Sequence, residues 1–371
     1  MRFNYVVALT ASFRFVSAGT SAALAAQAPE ISLRSAMGPI EHEFNRIGSV
    51  RELTGGRLLV SDVGEKTLYS IDLRSGSAHA VGRQGSGPGE YRDLGKLVPI
   101  GADTTLIADR SNRRYFVLNR DQIVRTTAPD DSVLEQLGFG LVGADSTDRV
   151  LAASVRRAGI TTAARRRAQI ALLMLERASG RLDTIAVLRD AEVVTHQTGA
   201  APRTSFSSIV VTLSVAEQAV IAADGWVAIA LQDPYRVNWI APSGAVRRGR
   251  PLESAPAPVT DVIKQEWRRR TERLLGRPLP ISLQDLPWAF VIPPYRTNAL
   301  HALSDGRLLI ERETVGTLSR AEYDLIDRHG DRVGVVVLAG HERVVGIGPQ
   351  RVFVSTTDDD GVERLRVYTS P

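Results

Sequence analysis

Six short apolar runs recur along the chain, and each one follows a residue that favours a turn. A turn residue followed by apolar and β-branched residues is typical of a buried strand that begins after a tight turn. The runs are GRLLVSD (56–62), DTTLIAD (103–109), DRVLAAS (148–154), GWVAIAL (225–231), GRLLIER (306–312) and QRVFVST (350–356). The pattern predicts six equivalent buried strands.

Each run is the second strand of a unit; a third strand follows it, and flanking segments supply a first and a fourth strand for most units. The third strands are TLYSIDLRSG (67–76), RYFVLNRDQ (114–122), IALLMLERASG (170–180), RVNWIAPSG (236–244), EYDLIDRHG (322–330) and RLRVYTSP (364–371). Three intervals between successive runs are 44 to 47 residues long, the length of one four-stranded propeller blade. We therefore predict an all-β fold, a six-bladed β-propeller of four-stranded antiparallel blades.

The two longer intervals predict insertions near 189–214 and 253–294. The later insertion contains TDVIKQEWRRRTERLLG, which predicts a short helix between blades four and five, capped by Thr260 or Asp261 and ended by Gly276. Its arginine-rich face is either solvated or in contact with an anion or partner. The stretch LPWAFVIPPYRTNAL predicts extended chain packed over one face of the propeller. The polar, Ser/Thr-rich insertion at 189–214 predicts a long surface loop that returns to a strand.

The two ends of the chain carry further signals. The sixth unit stops after its third strand, and EISLRSAMG (30–38) is predicted to supply the missing outer strand, because an open sheet edge is unfavourable. The alternative is a disordered linker at 30–38. Residues 1–28 have a basic start, an apolar middle and small residues, the composition of a secretory signal peptide, although Arg14 interrupts the apolar run. We predict one propeller domain over 29–371, exported to the periplasm or extracellular space.

Composition limits the function classes further. The chain has 371 residues, 43% of them hydrophobic and 23% charged, and no segment is long enough to span a bilayer. The net charge of +5 is carried mainly by arginine, which indicates either a GC-rich coding bias or a basic face. The absence of cysteine excludes disulfides, thiolate metal sites, cysteine nucleophiles and a lipid anchor on cysteine. The prediction is a monomer without a transmembrane segment.

The loop GRQGSGPGEY (82–91) raises the question of phosphate binding. A P-loop requires a lysine after its glycines and a helix that begins at once, and neither is present. In a dinucleotide-binding loop the closing position is a glycine, but here it is Glu90. Pro88–Gly89 predicts the middle of a type II turn. The loop is therefore predicted to be a structural corner between the first two blades.

A family resemblance rests on this loop and the strand that follows it. The relevant positions are Gly82, Arg83, Gly85, Gly87, Pro88, Gly89, Glu90 and Tyr91, then Asp109, Asn112 and Arg113. Together they resemble the first-to-second-blade region of bacterial exported six-bladed β-propellers, relatives of the NHL-repeat and TolB-like propellers. The later blades depart from this pattern, because none repeats the glycine loop. The resemblance implies a propeller fold and says little about activity.

Carboxylates that end two strands have a cation four residues later. Asp62 precedes Lys66 and Asp109 precedes Arg113 across equivalent turns. A carboxylate at such a place can accept turn amides and pair with the cation, which favours a structural role over ligand binding.

Catalytic motifs are absent from the linear sequence. The six histidines show no metal-ligand spacing, and DDDG (358–361) lacks the spaced ligands of a calcium loop, so a hairpin turn is favoured there. No G-x-S-x-G elbow occurs. Ligands contributed by separate blades would leave no linear motif, so a divalent metal such as calcium in the channel stays open, although no cofactor is predicted.

The leading hypothesis is an exported, non-catalytic propeller that binds a protein, peptide or glycan on one face. The alternative is a metal-dependent lactonase or lyase that uses the central channel. RNA binding through arginines is a third option, disfavoured by the export signal and the few aromatic residues among the basic stretches. The candidate binding residues are Arg83, Glu90, Arg113, Trp267, Arg270, Trp288 and Tyr295.

Overall fold

A computed structural model of the chain describes residues 28–127, 140–156, 165–198, 205–254, 256–314 and 320–371. Six sheets of four or five strands make up this part, together with one pair of two-residue strands and one helix. The strands of each blade are antiparallel to one another, and the fold is the predicted six-bladed β-propeller. Of the predicted signal peptide, residues 1–27 lie outside the described part of the chain.

The first half of the chain contains two N-terminal strands, three blades and the corner loop. The N-terminal strands are β1 (Glu30–Ile31) and β2 (Ile40–Phe44). Blade one contains β3 (Ile47–Leu53), β4 (Arg57–Asp62), β5 (Thr67–Asp72) and β6 (Ala78–Val81). The corner loop contains β7 (Arg83–Gln84) and β8 (Glu90–Tyr91). Blade two contains β9 (Val98–Pro99), β10 (Thr104–Asp109), β11 (Arg114–Asn119) and β12 (Gln122–Thr127). Blade three contains β13 (Leu141–Ala144), β14 (Arg149–Arg156), β15 (Arg165–Glu176), β16 (Arg181–Thr198) and β17 (Ser205–Val210).

The second half of the chain contains three blades and the helix. Blade four contains β18 (Gln218–Ile221), β19 (Val227–Gln232), β20 (Tyr235–Ile240) and β21 (Val246–Arg248). The helix α1 (Asp261–Leu275) follows blade four. Blade five contains β22 (Tyr295–Ala302), β23 (Leu308–Arg312), β24 (Arg320–Ile326) and β25 (Arg332–Ala339). Blade six contains β26 (Glu342–Ile347), β27 (Arg351–Thr357) and β28 (Glu363–Thr369).

The hydrophobic core is divided into six clusters, and each lies between two adjacent blades. One cluster joins blades six and one, with Phe353 and Leu58 both fully buried in it. The second strand of each blade is covered on both faces by its neighbours, which explains why the predicting runs are continuously apolar rather than alternating. The arrangement closes the ring.

The fourth strand of blade six comes from the N-terminal part of the chain, as predicted, but from a different segment. β2 pairs antiparallel with β28, so the closing strand lies at 40–44 and not within 30–38. The predicted segment instead places β1 parallel to β25 at the outer edge of blade five. Ser35 adds a single bridge to Tyr368. The segment before blade one therefore pairs with both blade five and blade six.

The helix confirms its sequence prediction, whereas the earlier insertion does not. Thr260 is the N-cap of α1 and accepts a hydrogen bond from the amide of Ile263, and Gly276 ends the helix in the left-handed conformation. Much of the loop predicted at 189–214 is strand instead, because β16 runs to Thr198 and β17 pairs back against it, and residues 199–204 lie outside the described part of the chain. Thr, Val and Ser residues there continue the hydrogen-bonded ladder beyond the normal height of a blade. No helix among the residues described above is long and apolar enough to cross a membrane.

One end of the propeller carries the irregular parts of the chain. Because the strands alternate in direction, the links from second to third strand and from one blade to the next emerge at the same end of the disk. We call this end the upper face. It holds loop 82–91, the extension of β16 and β17, and α1.

Candidate functional site

The glycine-rich loop at 82–91 is a corner closed by its own atoms. β7 and β8 pair in parallel. The amide of Glu90 donates to the carbonyl of Gly87 over 3.2 Å, and Gly89 has a φ of 70°, so the predicted type II turn is confirmed. The Glu90 carboxylate accepts from the Gly87 amide and from Arg83 Nε, both over 2.7 Å. These hydrogen bonds lower the pKa of Glu90, and both predicted residues of the loop therefore serve the loop itself.

The buried carboxylate of Asp109 ties this corner to blade two. Asn112 Nδ2 donates to Asp109 Oδ2 over 2.7 Å and to the carbonyl of Gly85 over 2.9 Å. Arg114 Nε lies 3.4 Å from Asp109 Oδ2, and Arg114 Nη2 donates to the carbonyl of Glu90 over 2.5 Å. We call Asp109, Asn112 and Arg114 the corner clamp. The clamp explains why the glycine loop and the turn after β10 belong to one sequence pattern.

The predicted pairing of strand-end aspartates with the fourth following residue is wrong. Asp109 pairs with Arg114 rather than Arg113, and Arg113 is exposed with a φ of 53°. Lys66 occupies the matching turn position with a φ of 56°. Asp62 is fully buried, and among the described residues its carboxylate accepts the backbone amides of Asn45, Arg46, Gly64 and Glu65. Lys66 and Arg113 therefore occupy left-handed turn positions, and neither forms the predicted ion pair with the preceding aspartate.

The two insertions join into one unit that contacts blade three through Arg165. The amide of Thr212 donates to the carbonyl of Pro287 over 2.7 Å, and the amide of Ala289 donates back to Thr212 over 2.9 Å. Arg165 on β15 donates to the carbonyl of Trp288 over 2.8 Å, and its guanidinium lies 4.5 Å from the ring centroid of Phe290. Segments that are distant in sequence therefore form a single structure on the upper face.

The predicted residues on this unit fasten α1 in place. Trp267 and Trp288 pack edge to face with centroids 5.2 Å apart, and Trp288 Nε1 donates to the carbonyl of Leu283 over 2.7 Å. Arg270 forms an ion pair with Glu313 at 3.1 Å, and both side chains are largely buried. These three residues lie together on the upper face, but their rings and charge are already engaged within the protein.

Tyr295 does not belong to any surface. It is fully buried, and its hydroxyl donates to the carbonyl of Ala230 over 2.8 Å. Its ring lies 5.8 Å from that of Tyr235 in the cluster between blades four and five. Burial raises the pKa of Tyr295 well above its usual value. The prediction that Tyr295 contacts a ligand is corrected, because an aromatic residue at the start of an inner strand packs between blades.

Exposed apolar side chains concentrate on the joined insertions. We define the insertion surface by five such residues on three segments linked through main-chain hydrogen bonds: Ile209, Val210, Val262, Phe290 and Val291. Phe290 is 79% exposed and Val262 is 72% exposed. Large apolar side chains exposed together on a rigid support mark interaction sites. The sequence predicted that the segment containing Phe290 packs over one face of the propeller. Helical periodicity alone did not place Val262 on the outer side of α1.

The acidic turn at 358–361 has the predicted hairpin geometry. The amide of Gly361 donates to the carbonyl of Asp358, and the carboxylate of Asp358 accepts the amide of Val362 over 2.9 Å. Within the six described ranges, no group of three or more His, Asp or Glu side chains is arranged to hold a metal ion. The prediction of no cofactor, with calcium or another divalent metal in the channel as the open alternative, stays untested.

Comparison with known proteins gives similarity of shape only. No family model and no curated protein sequence matches the chain. It is similar to a member of the DUF4221 family from Bacteroides vulgatus, with 8% identity, 91% of this chain and 95% of that chain covered, and a TM-score of 0.45. It is also similar to the calcium-binding protein regucalcin from Agrobacterium tumefaciens, with 12% identity, coverage of 92% and 97%, and a TM-score of 0.39. A protein proposed to be TolB from the same bacterium has 12% identity, coverage of 88% and 90%, and a TM-score of 0.41. Likenesses this distant assign neither family nor function, and the resemblance to NHL-repeat and TolB-like propellers stays a prediction.

Proposed function

We propose that the chain is an exported, non-catalytic β-propeller that binds a protein partner through the insertion surface. The observation that carries this proposal is the exposure of Phe290 and Val262 on a unit built from two separate insertions. Leaving such side chains in water is unfavourable by about 1.5–3 kcal/mol for each large apolar group. A partner that covers them recovers this free energy.

Several features favour a protein over a glycan. Sugars stack on the open faces of aromatic rings, but Trp267 and Trp288 are half-buried against each other. The exposed side chains are chiefly aliphatic, which suits the apolar centre of a protein interface. Arg273 and Arg277 near the end of α1 are exposed and form no ion pair with any described residue. They would form a positive rim that suits acidic residues on the partner.

The test compares the insertion surface with an exposed apolar residue elsewhere on the protein. A Phe290→Glu/Val262→Glu variant changes the insertion surface, and Val246→Glu changes β21 on a residue that is 59% exposed. Each tagged protein is crosslinked in its native cell and the bound proteins are quantified. We expect at least one protein to be lost from the double variant and kept by the control. The same bound proteins in equal amounts with all three chains would overturn the proposal.

The metal-dependent alternative has its own measurement. Purified protein is analysed for bound metal, and its melting temperature is compared with calcium and with chelator. The proposal expects no stoichiometric ion and no calcium-dependent shift. A bound ion, or a stabilisation that chelator removes, would favour the lactonase or lyase hypothesis instead.

A further inference from the structure

A cavity of about 360 Å³ opens between blades three and four on the face opposite the upper face, which we call the lower face. Its walls are 147–149 and 176–178 of blade three, with Asp224 and Pro242 of blade four. These residues lie in or beside the links from first to second and from third to fourth strand, which emerge at this end of the disk. Because ligand sites in proteins have volumes of about 300–1,000 Å³, this cavity suits a small molecule.

The two blades are fixed to each other beside the cavity. The amide and the hydroxyl of Ser146 both donate to the carbonyl of Ala223, over 2.9 Å and 2.7 Å. Arg149 Nη2 donates to the carbonyl of Gly225 over 3.3 Å. Gly225 has a φ of 84°, and a Cβ there would collide with Arg149 Nη2, so only glycine leaves room for this contact. The walls are therefore in place before a ligand arrives.

Each carboxylate around the cavity has its own arginine. Arg149 Nε donates to the buried carboxylate of Asp145 over 2.7 Å. Arg177 forms an ion pair with Asp148, and its amide donates to the carbonyl of Asp148 over 3.3 Å. The remaining two pairs are Glu176 with Arg181 and Asp224 with Arg328. These eight side chains together carry no net charge.

The ion pairs leave hydrogen-bonding capacity at the walls of the cavity. Arg149 uses Nε and Nη2, and its Nη1 forms no hydrogen bond within the described part of the chain. The side chains of Asp148 and Asp224 are 44% and 58% exposed, so their oxygens stay open to further donors. Donors and acceptors therefore stand side by side around one space.

This arrangement favours hydroxyl groups over charged ligands. A hydroxyl both donates and accepts, so it can join a guanidinium to a carboxylate. An anionic ligand would meet the three wall carboxylates, and a cationic ligand would meet the two wall guanidinium groups, those of Arg149 and Arg177. A neutral molecule with several hydroxyls avoids both repulsions and uses both kinds of partner.

We propose that the cavity on the lower face binds a single neutral sugar unit. Its hydroxyls accept from Arg149 and Arg177 and donate to the wall carboxylates through charge-assisted hydrogen bonds. Ala178 and Pro242 supply apolar contacts for its C–H groups, so recognition depends on hydrogen bonds rather than on aromatic stacking. The site lies on the face opposite the insertion surface, goes beyond the proposed function and does not depend on it.

The test measures sugar binding to the purified full chain by calorimetry and by saturation-transfer NMR. The probes are glucose, galactose and mannose, and each is compared with its uronate and its amino sugar, which add a negative or a positive charge to the same ring. We expect saturable binding in the millimolar range for at least one neutral sugar. Its two charged counterparts should bind more weakly.

Three variants locate the binding. Ala178→Leu fills the cavity, and Ala102→Leu makes the same change on an exposed lower-face turn of blade two that does not line it. Asp148→Asn replaces a wall carboxylate by an amide, and the φ of 68° at Asp148 is one that asparagine also adopts. We expect Ala178→Leu to abolish binding, Asp148→Asn to weaken it about tenfold, and Ala102→Leu to leave it unchanged, with equal melting temperatures showing that all three fold.

The proposal is overturned if none of the three neutral sugars binds saturably to the unmodified chain. It is also overturned if a uronate or amino sugar binds more tightly than its neutral parent, or if Ala178→Leu binds as tightly as Ala102→Leu. The Phe290→Glu/Val262→Glu variant should bind sugar as the unmodified chain does. A loss of binding there would place the sugar on the insertion surface and contradict the assignment to the cavity.

Discussion

Replacing Asp109 by alanine tests whether the corner clamp holds blades one and two together. The side chain is fully buried, and its carboxylate accepts the amide of Asp93 over 3.1 Å and Asn112 Nδ2 over 2.7 Å. Arg114 lies beside it and is itself only 14% exposed. Asp109→Ala removes the acceptor and leaves these donors without a partner, in a place that water reaches poorly.

The expected loss follows from these contacts. A hydrogen bond to a charged group contributes about 1.5–3 kcal/mol, and removing one partner of a buried ion pair costs about 3–5 kcal/mol. Because the contacts share one carboxylate, their energies do not add, and we expect a loss of about 3–5 kcal/mol. The unfolding entropy of a propeller of this length is about 0.7 kcal/mol/K, so the melting temperature should fall by about 4–7 °C.

The assay is calorimetric unfolding of the purified variant beside Asp72→Ala. Asp72 also accepts two turn amides, those of Arg74 and Ser75, but it does so on the surface. Asp109→Ala should lower the melting temperature by several times the change seen for the control. Hydrogen exchange should also accelerate at loop 82–91. Equal changes in melting temperature for both variants would refute the idea that the corner clamp stabilises the junction between blades one and two.

Three further predictions follow from single side chains. Tyr91→Phe removes the hydroxyl that donates to Val81 and accepts from Leu68, and should cost about 1–3 kcal/mol in chemical denaturation. Glu363→Gln weakens the junction of blades six and one, and should accelerate amide exchange of β3 and β28. Since the pKa of His301 falls from 6.5 to about 3 on folding, the unfolded chain binds an extra proton between these values. Stability should therefore decrease as the pH falls through this window, by at most about 1.4 kcal/mol per pH unit, and His301→Gln should flatten that slope; an unchanged slope contradicts it.

The errors of sequence interpretation have local physical causes. Arg113 and Arg114 are adjacent and identical, and only the left-handed φ of Arg113 decides which one reaches Asp109. The 189–214 segment has a polar composition, yet its β-branched residues continue a ladder once β15 supplies a partner. Tyr295 carries the composition of a binding aromatic, but the neighbouring blade covers it.

Local pattern determined the parts of this protein that depend on neighbours in sequence. Buried second strands, tight turns, the type II corner and the capped helix follow from residues within about ten positions, because backbone geometry and short-range burial select them. The tertiary structure alone decided which N-terminal segment closes the ring, how two distant insertions join, and that Arg114 rather than Arg113 reaches Asp109. The first two of these outcomes depend on contacts between residues far apart in the chain, and closing a propeller is what brings such residues together.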